Sequence, residues 1–258
     1  MPLLESLALA GAALAAGMVN AIAGGGTLIT FPALLAFGTP AIIANATSTL
    51  ALVIGTIASV YGYREPIRTV RPWLKALAPA SLLGGLLGAV LLTRTDERRF
   101  AQMVPFLLLF ATGVFLLQGR LRRLGRGNDR GADAAPHRPP WLAIPFQFLV
   151  AIYGGYFGAG IGILMLASLW SASVVSIHAM NGLKSVLGLL INLVAALYFI
   201  TAALIDWRRA AVMSLGALCG SFLGAHYAQR ISPQRVRQLI TAIGLTISAA
   251  QFWKQFGR

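Results

Sequence analysis

The chain has 258 residues, of which 57% are hydrophobic and 11% are charged, and its mean hydropathy is +0.76. A soluble domain has about 25% charged residues, so the composition excludes an ordinary soluble globular protein. The net charge of +14 could indicate a nucleic-acid-binding protein, but the Arg residues stand in short gaps between apolar segments, as in positive-inside membrane proteins. We therefore expect an all-α polytopic membrane protein with a lipid-bilayer environment and no nucleic-acid partner.

The apolar stretches are long enough to hold several membrane segments each. No Asp, Glu, Lys or Arg occurs from Ser6 to Tyr63 or from Pro139 to Leu183, whereas one spanning helix needs about 20 apolar residues. Because Glu5 precedes the first stretch and no basic run does, we expect a retained helix and not a cleaved signal peptide. In chain order the predicted segments are 6–22, 27–37, 41–62, 73–93, 100–118, 141–157, 163–170, 174–205, 210–229 and 238–253.

Two of these segments, 27–37 and 163–170, are too short to span a membrane. Each follows a glycine cluster, Gly24-Gly25-Gly26 in the first case and residues 158–162 in the second. Glycine weakens helical backbone and permits unusual turns, so we expect broken or re-entrant helices at both places.

An internal repeat is predicted by superposing the chain on itself with an offset of 136 residues and no gap. The hypothesis divides the chain into membrane repeat 1 (1–118), a basic solvent-exposed linker (119–140) and membrane repeat 2 (141–258), each repeat holding about four membrane segments plus the short broken helix. The matched pairs are Gly24 with Gly160, Gly26 with Gly162, Leu28 with Leu164, Asn45 with Asn181, Gly84 with Gly220, Leu87 with Leu223, Gly88 with Gly224, Ala89 with Ala225, Arg94 with Arg230 and Arg99 with Arg235.

Duplicated halves with broken helices in matching positions are typical of transporters whose site lies between the repeats near the bilayer midplane. Whether the repeats run parallel or inverted depends on the number of crossings in each half. With the linker inside, an even number gives 14 Lys/Arg inside against 6 outside, and an odd number gives 13 against 7. The charges leave both arrangements open.

Lys184 stands out because an otherwise uncharged stretch follows it from Ser185 to Ile205. A charge at mid-bilayer costs about 2.5–3.5 kcal/mol on insertion scales and marks a functional site. All seven acids of the chain lie in loops or at segment ends, so the compensation must be a neutral amine, freed backbone carbonyls or an external anion. The alternative is a Lys184 at the membrane edge that extends its ammonium to the headgroups.

A polar face beside Lys184 strengthens the functional interpretation. Asn181, Ser185, Gly188 and Asn192 share one helical face by their spacing, although such residues also join helices to one another. The corresponding face in the first half consists of Asn45, Thr49, Leu52 and Thr56, with Ser48 in register with Lys184. A site built from both repeats would therefore be charged in only one.

The glycine clusters admit an electrostatic role as well as a packing role. A helix that begins inside the membrane at Thr27 or Ile163 presents unpaired N–H groups and partial positive charge, which suits an anion. Close packing of short helices is the alternative. The pairs Gly84/Gly88 and Gly220/Gly224 have the small-xxx-small spacing of helix contacts, and we assign them to packing.

Enzymatic or metal chemistry has no visible basis in the sequence. His178 and His226 have no counterpart in the first half, no intramembrane acid accompanies them, and Cys219 is the single cysteine. A metal site and a disulfide are therefore not expected. Because no triad, phosphate loop or His-Glu motif occurs, we predict no enzyme and no cofactor.

Three stretches resemble a known family: NAIAGGGTLITFPALLAFGTPAIIANATSTL (20–50), GGYFGAGIGILML (154–166) and NGLKSVLGLLINLVAALYFITAALIDW (181–207). The chain resembles the sulfite exporter TauE/SafE family over nearly its whole length. The resemblance implies a multi-pass carrier of the bacterial inner membrane that moves sulfite, organosulfonates or related anions. The site residues it implies are Gly24, Gly25, Gly26, Asn45, Thr47, Ser48, Thr49, Gly158, Gly160, Gly162, Asn181 and Lys184, to which the helix starts and polar faces add Thr27, Ser185 and Asn192.

The sequence thus predicts a secondary transporter of small sulfur-containing oxyanions, with protons as the candidate coupling ion and the linker in the cytoplasm. One alternative is a non-transporting scaffold subunit that binds anionic lipid or a soluble partner through Arg120, Arg122, Arg123 and Arg126. A cation or metal permease is disfavoured because cation pathways usually need intramembrane acids.

Overall fold

The computed structural model describes residues 1–22, 24–125, 140–171 and 177–227, together with eight single residues between 238 and 253. The part of the chain so described is helical throughout, with short turns between helices. The helices are α1 (Leu3–Ile22), α2 (Thr27–Ala36), α3 (Ala41–Gly62), α4 (Arg64–Thr69), α5 (Arg71–Thr93), α6 (Glu97–Gly125), α7 (Ala143–Tyr156), α8 (Ile161–Ser171), α9 (Ile177–Thr201) and α10 (Trp207–Tyr227).

The all-α membrane class predicted from composition is confirmed. Among the described helices, four are long and apolar enough to cross a membrane, namely α1, α3, α5 and α9. Helices α2 and α7 are apolar but shorter, with 10 and 14 residues. The segments that follow the glycine clusters, α2 and α8 with 10 and 11 residues, are therefore real helices that are too short to span a bilayer alone.

Three features differ most from the prediction, the other described helix ends lying within three residues of it. The charged gap after residue 62 contains a short helix, α4, which begins the turn into α5. Helix α6 continues to Gly125, past the predicted end at 118, because the Leu and Arg residues there are good helix formers. Helix α9 ends at Thr201 and not at 205, since a turn with a left-handed Ala203 precedes α10. The predicted segment 238–253 lies largely outside the described residues.

Glycines bring two pairs of parallel helices into direct backbone contact. On α5, a Cβ at Gly84 or Gly88 would overlap backbone atoms of α7. On α10, a Cβ at Gly216 or Gly220 would overlap carbonyl oxygens of α1. The predicted packing role of Gly84, Gly88, Gly220 and Gly224 is confirmed, because lipid tails offer helices no hydrophobic drive to associate and small residues permit the close approach.

One end of the bundle is held together by Arg209, and we call it the Arg209 end. The Arg209 guanidinium pairs with Glu5 of α1 at 2.8 Å and donates to the Phe37 carbonyl after α2 at 3.1 Å. At the same end the Glu97 carboxylate of α6 accepts hydrogen bonds from the first two backbone N–H groups of α3. Helices α1, α3, α6 and α10 therefore begin here, and α2, α5 and α9 end here.

The opposite end is the α4 end. Helix α3 finishes there, and Gly182 near the start of α9 packs against Tyr63 and Ile67. Ala143 at the start of α7 packs into an apolar cluster with Val70 and Trp73. Helices α5, α7 and α9 therefore begin at the α4 end.

The two helical hairpins that contain the glycine clusters consequently enter the bundle from opposite ends. The α1–α2 hairpin enters and returns at the Arg209 end, whereas the α7–α8 hairpin enters at the α4 end. Of the two arrangements that the charges left open, the orientation of the hairpins corresponds to the inverted one. The 136-residue duplication itself stays a prediction, although its matched residues Gly24 and Gly160 both adopt left-handed backbone, with φ of +77° and +78°.

Candidate functional site

The two glycine turns meet backbone to backbone in the interior of the bundle. A Cβ on Gly24 would lie 3.1 Å from the Cα of Gly162, and a Cβ on Gly162 would lie equally close to the Cα of Gly24. Gly24 and Gly158 have φ of +77° and +79°, which side-chain-bearing residues rarely adopt. Glycine is thus required here both for the turn and for the approach, and the two hairpin tips form one surface.

Lys184 of α9 lies across this surface. Its Cδ is 3.3 Å from the position of a Cβ on Gly162, and its Nζ is 3.6 Å from the position of a Cβ on Gly24. The residue is only 4% exposed, and no described residue forms a hydrogen bond with the ammonium. The ion pairs found in the described part of the chain involve Arg68 and Arg209, not Lys184. A membrane-edge lysine that reaches the headgroups does not fit this burial.

The ammonium faces a small cavity of about 30 Å³. A cavity needs roughly 10–15 Å³ to hold a water molecule, so this one has room for about two. Its lining comprises Asn20, Gly24, Gly25, Gly26, Thr27, Leu52, Thr56, Ser59, Gly158, Ile161, Gly162, Met165, Lys184, Ser185, Gly188 and Asn192. Both hairpin tips and the two long helices α3 and α9 therefore contribute.

Most of the polar face predicted on α9 reaches the cavity. Ser185, Gly188 and Asn192 line it beside Lys184, as do Thr27 at the start of α2 and the glycines of both turns except Gly160. Asn181 is half-buried and lies outside the lining, one turn nearer the α4 end. The helical spacing thus predicted the inward face correctly over two turns.

The first-half polar residues inferred from the family resemblance lie elsewhere. The Asn45 amide donates to the carbonyl of Tyr156 at the end of α7, at 3.1 Å. The Thr47 hydroxyl accepts from the backbone N–H of Asp206 at 3.1 Å. The hydroxyl of Ser48 pairs with that of Thr30 at 2.6 Å, and Thr49 donates to the Asn45 carbonyl at 2.8 Å. The structure does not bring Asn45, Thr47, Ser48, Thr49, Gly160 or Asn181 together with the cavity.

Three polar lining residues, Asn20, Thr56 and Ser59, were absent from the predicted site residues, although Thr56 belongs to the predicted first-half face. Thr56 is in register with Asn192 at the 136-residue offset, so the repeat itself contained the signal for it. Asn20 precedes the first glycine cluster, and its amide donates to the Thr56 hydroxyl at 3.1 Å. Ser59 lies about one turn beyond Thr56 on the same face of α3. Extending the polar face predicted in the first half by one more turn would have included it.

This arrangement suits an anion and offers little to a cation or metal. The described lining contains one cation and neutral hydroxyl and amide groups, without a carboxylate, a histidine or a cysteine. No cluster of three His, Cys, Asp or Glu side chains occurs among the described residues. The side chains of His178 and His226 lie outside the described ones, and Cys219 is exposed on α10. The helix starts at Thr27 and Ile161 add backbone N–H groups at the cavity.

Comparison with known proteins agrees with this architecture. Residues 9–251 match the family described as sulfite exporter TauE/SafE. A "Probable membrane transporter protein" of Haemophilus influenzae is 30% identical over 93% of this chain and 91% of its own length. The "Probable membrane transporter protein YfcA" of Escherichia coli is 26% identical over 95% of this chain and 89% of its own, and the "Probable membrane transporter protein ORF9" of a Sinorhizobium species is 25% identical over 92% and 88%.

No solved structure matches the chain. The family match covers nearly all of it, and the two first relatives match 93% and 95% of it and are both named probable membrane transporters. The chain belongs to the sulfite exporter TauE/SafE family and is a membrane transporter of that family.

Proposed function

We propose that the protein moves small sulfur-containing oxyanions, such as sulfite or an organosulfonate, across the bacterial inner membrane through the Lys184 cavity. The observation that supports this most directly is the buried Lys184 ammonium, which no described residue pairs. Such a charge is costly in the membrane unless it has a partner. An anion that enters from solution would supply one.

The geometry of the lining fits an oxyanion. Sulfite and sulfonates have three oxygens on one sulfur and can share several donors, while one lysine supplies the charge compensation. The hydroxyl- and amide-bearing residues Ser59, Ser185 and Asn192 line the same cavity as Lys184. Residues at the start of α2 and α8 line it as well, and helix N-termini bind anions in other proteins.

The position of the site supports transport rather than storage. The cavity lies where the tip of a hairpin from the Arg209 end touches the tip of a hairpin from the α4 end. Movement of either hairpin would open the cavity toward its own side of the membrane, which is the geometry of alternating access around a fixed site. We also propose protons as the coupling ion.

The direct test is sulfite flux into proteoliposomes that contain Lys184→Met. Methionine keeps the length of the side chain and removes its charge, so the protein is expected to fold with equal or greater thermal stability. Loss of one partner of a buried charge pair costs about 2–5 kcal/mol, or roughly 30-fold or more in affinity. We expect flux at low sulfite concentration to fall by at least that factor.

Lys75→Met is the matched control, since Lys75 is exposed near the start of α5. Its flux should equal that of the unmodified protein. Undiminished flux in Lys184→Met would overturn the proposal. If instead replacing Arg120, Arg122, Arg123 and Arg126 by Gln removed the cellular activity while Lys184→Met kept it, the scaffold alternative would be favoured.

A further inference from the structure

Ser59 is a buried hydroxyl that faces the cavity without a partner. It is 3% exposed, lines the cavity, and forms no hydrogen bond with any described residue. Ser59 was absent from the predicted site, and nothing in the family resemblance points to it. A hydroxyl buried without a hydrogen bond destabilises a protein, so its orientation needs an explanation.

Several other buried hydroxyls on the long helices are paired within their own helix. Thr49 donates to the Asn45 carbonyl at 2.8 Å and Thr56 to the Leu52 carbonyl at 2.7 Å, both on α3. Thr112 does the same on α6, with its bond to Leu108 at 2.7 Å. This back-bonding is the usual state of Ser and Thr in membrane helices. Ser59 differs from these residues because its hydroxyl stays available to the cavity.

Ser59 and Lys184 lie at nearly the same depth on facing helices. Helices α3 and α9 run in opposite directions, and Gly182 packs against Tyr63, with 3.3 Å between the position of its Cβ and the Cβ of Tyr63. Lys184 is two residues further along α9, and Ser59 is four residues back along α3. At 1.5 Å per residue the two therefore differ by only about 3 Å along the helix axes.

We propose that the Ser59 hydroxyl and the Lys184 ammonium bind two different oxygen atoms of the same transported anion. The inference rests on the proposed function and narrows the ligand to an oxyanion with at least two terminal oxygens on one centre. Both side chains line one small cavity at nearly the same depth, so an oxyanion bound to the ammonium would present a second oxygen to the Ser59 hydroxyl. Ser59 is thus a specificity-determining residue supplied by α3.

The test compares Ser59→Ala, Ser59→Thr and Thr49→Val in proteoliposomes over a range of sulfite concentrations. Loss of a hydrogen bond to a charged ligand raises the half-saturation concentration about tenfold or more. We expect that rise in Ser59→Ala with a smaller change in the maximal rate. Ser59→Thr keeps a hydroxyl and should restore most of the affinity. Thr49→Val removes a hydroxyl bonded within α3 and should leave the half-saturation concentration unchanged.

A thermal-shift measurement with sulfite separates a ligand role from a structural one. If Ser59 binds the anion, Ser59→Ala without sulfite melts at or above the temperature of the unmodified protein, and sulfite stabilises it less. Equal half-saturation concentrations and equal sulfite shifts in Ser59→Ala and Thr49→Val would overturn the inference. Lys184→Met is run in parallel: if it loses flux while Ser59→Ala does not, only the role of Ser59 is wrong, whereas normal flux in both removes the site as a whole.

Discussion

At the scale of single residues, Gly24 combines two requirements that can be separated by experiment. Its φ is +77°, and a Cβ there would approach both Gly162 and the Lys184 ammonium. Gly38, between α2 and α3, has the same φ of +77° but no atom within 4 Å of the position of its Cβ. The two glycines therefore have the same strained backbone conformation, but only Gly24 lies against other residues.

Replacing either glycine by alanine should cost roughly 1–2 kcal/mol of stability, because the left-handed region is unfavourable for L-residues. We expect a fall in melting temperature in detergent for both variants, larger for Gly24→Ala because its Cβ would also press against the backbone of Gly162. Only Gly24→Ala should also lose sulfite flux, by about tenfold or more. The added Cβ would displace the Lys184 ammonium, and a loss of about 1.4 kcal/mol of binding free energy already lowers affinity tenfold. Equal flux in both variants would show that the contact of the hairpin tips does not matter for transport.

Of the residues predicted from the sequence, Lys184 lines the cavity, whereas several neutral residues of the first half lie away from it. Lys184 could be predicted because a single charge inside an apolar stretch has few explanations. Thr47 was inferred from the resemblance alone, and Ser48 and Thr49 also from the repeat register. Thr49 bonds within its own helix, whereas Thr47 and Ser48 have partners in other elements that only tertiary structure reveals. The partner of Thr47, for example, is 159 residues away along the chain. No local pattern encodes such a pairing.

At the scale of helices, Arg209 connects three elements that are distant in sequence. Its guanidinium pairs with Glu5 of α1, donates to Thr39 and Phe37 between α2 and α3, and pairs with Asp206 before α10. The side chains of Arg209 and Glu5 are only 18% and 11% exposed. A partly buried pair with several charge-assisted hydrogen bonds contributes more than a surface pair.

A double-mutant cycle on Glu5→Gln and Arg209→Gln measures that contribution. Each single change leaves a partner unpaired, so we expect each to lower the melting temperature clearly and the double variant to lower it by much less than the sum. The Glu65–Arg68 pair is the control, because both side chains are 64% exposed and such pairs stabilise proteins by about 0–1 kcal/mol. Strict additivity for Glu5 and Arg209 would mean that the two do not interact in the membrane.

Helix boundaries were predictable where composition changes sharply and not elsewhere. Helix α3 begins and ends where the sequence predicts, since Pro40 precedes it and Arg64 follows shortly after. Helix α4 was missed because Pro66 and three charged residues resemble a loop. The helix nonetheless forms, since the chain must reverse between α3 and α5 and a short helix satisfies its backbone groups as it does so.

At the scale of the whole molecule, the two ends of the bundle differ in charge. The described helices place seven Lys/Arg at the α4 end, namely Arg64, Arg68, Arg71, Lys75, Arg120, Arg122 and Arg123. They place five at the Arg209 end, namely Arg94, Arg98, Arg99, Arg208 and Arg209. The sequence between α6 and α7 contains three further Arg, at positions 126, 130 and 138.

The positive-inside rule therefore predicts that the α4 end faces the cytoplasm. Single cysteines at exposed positions of the two ends, Ala202→Cys and Arg71→Cys, report the orientation in a Cys219→Ser background. In cells with a permeable outer membrane, a membrane-impermeant maleimide should label Ala202→Cys directly and Arg71→Cys only after the inner membrane is disrupted. The reverse labelling pattern would invert the orientation, and the α7–α8 hairpin would then open the Lys184 cavity to the outside instead of to the cytoplasm.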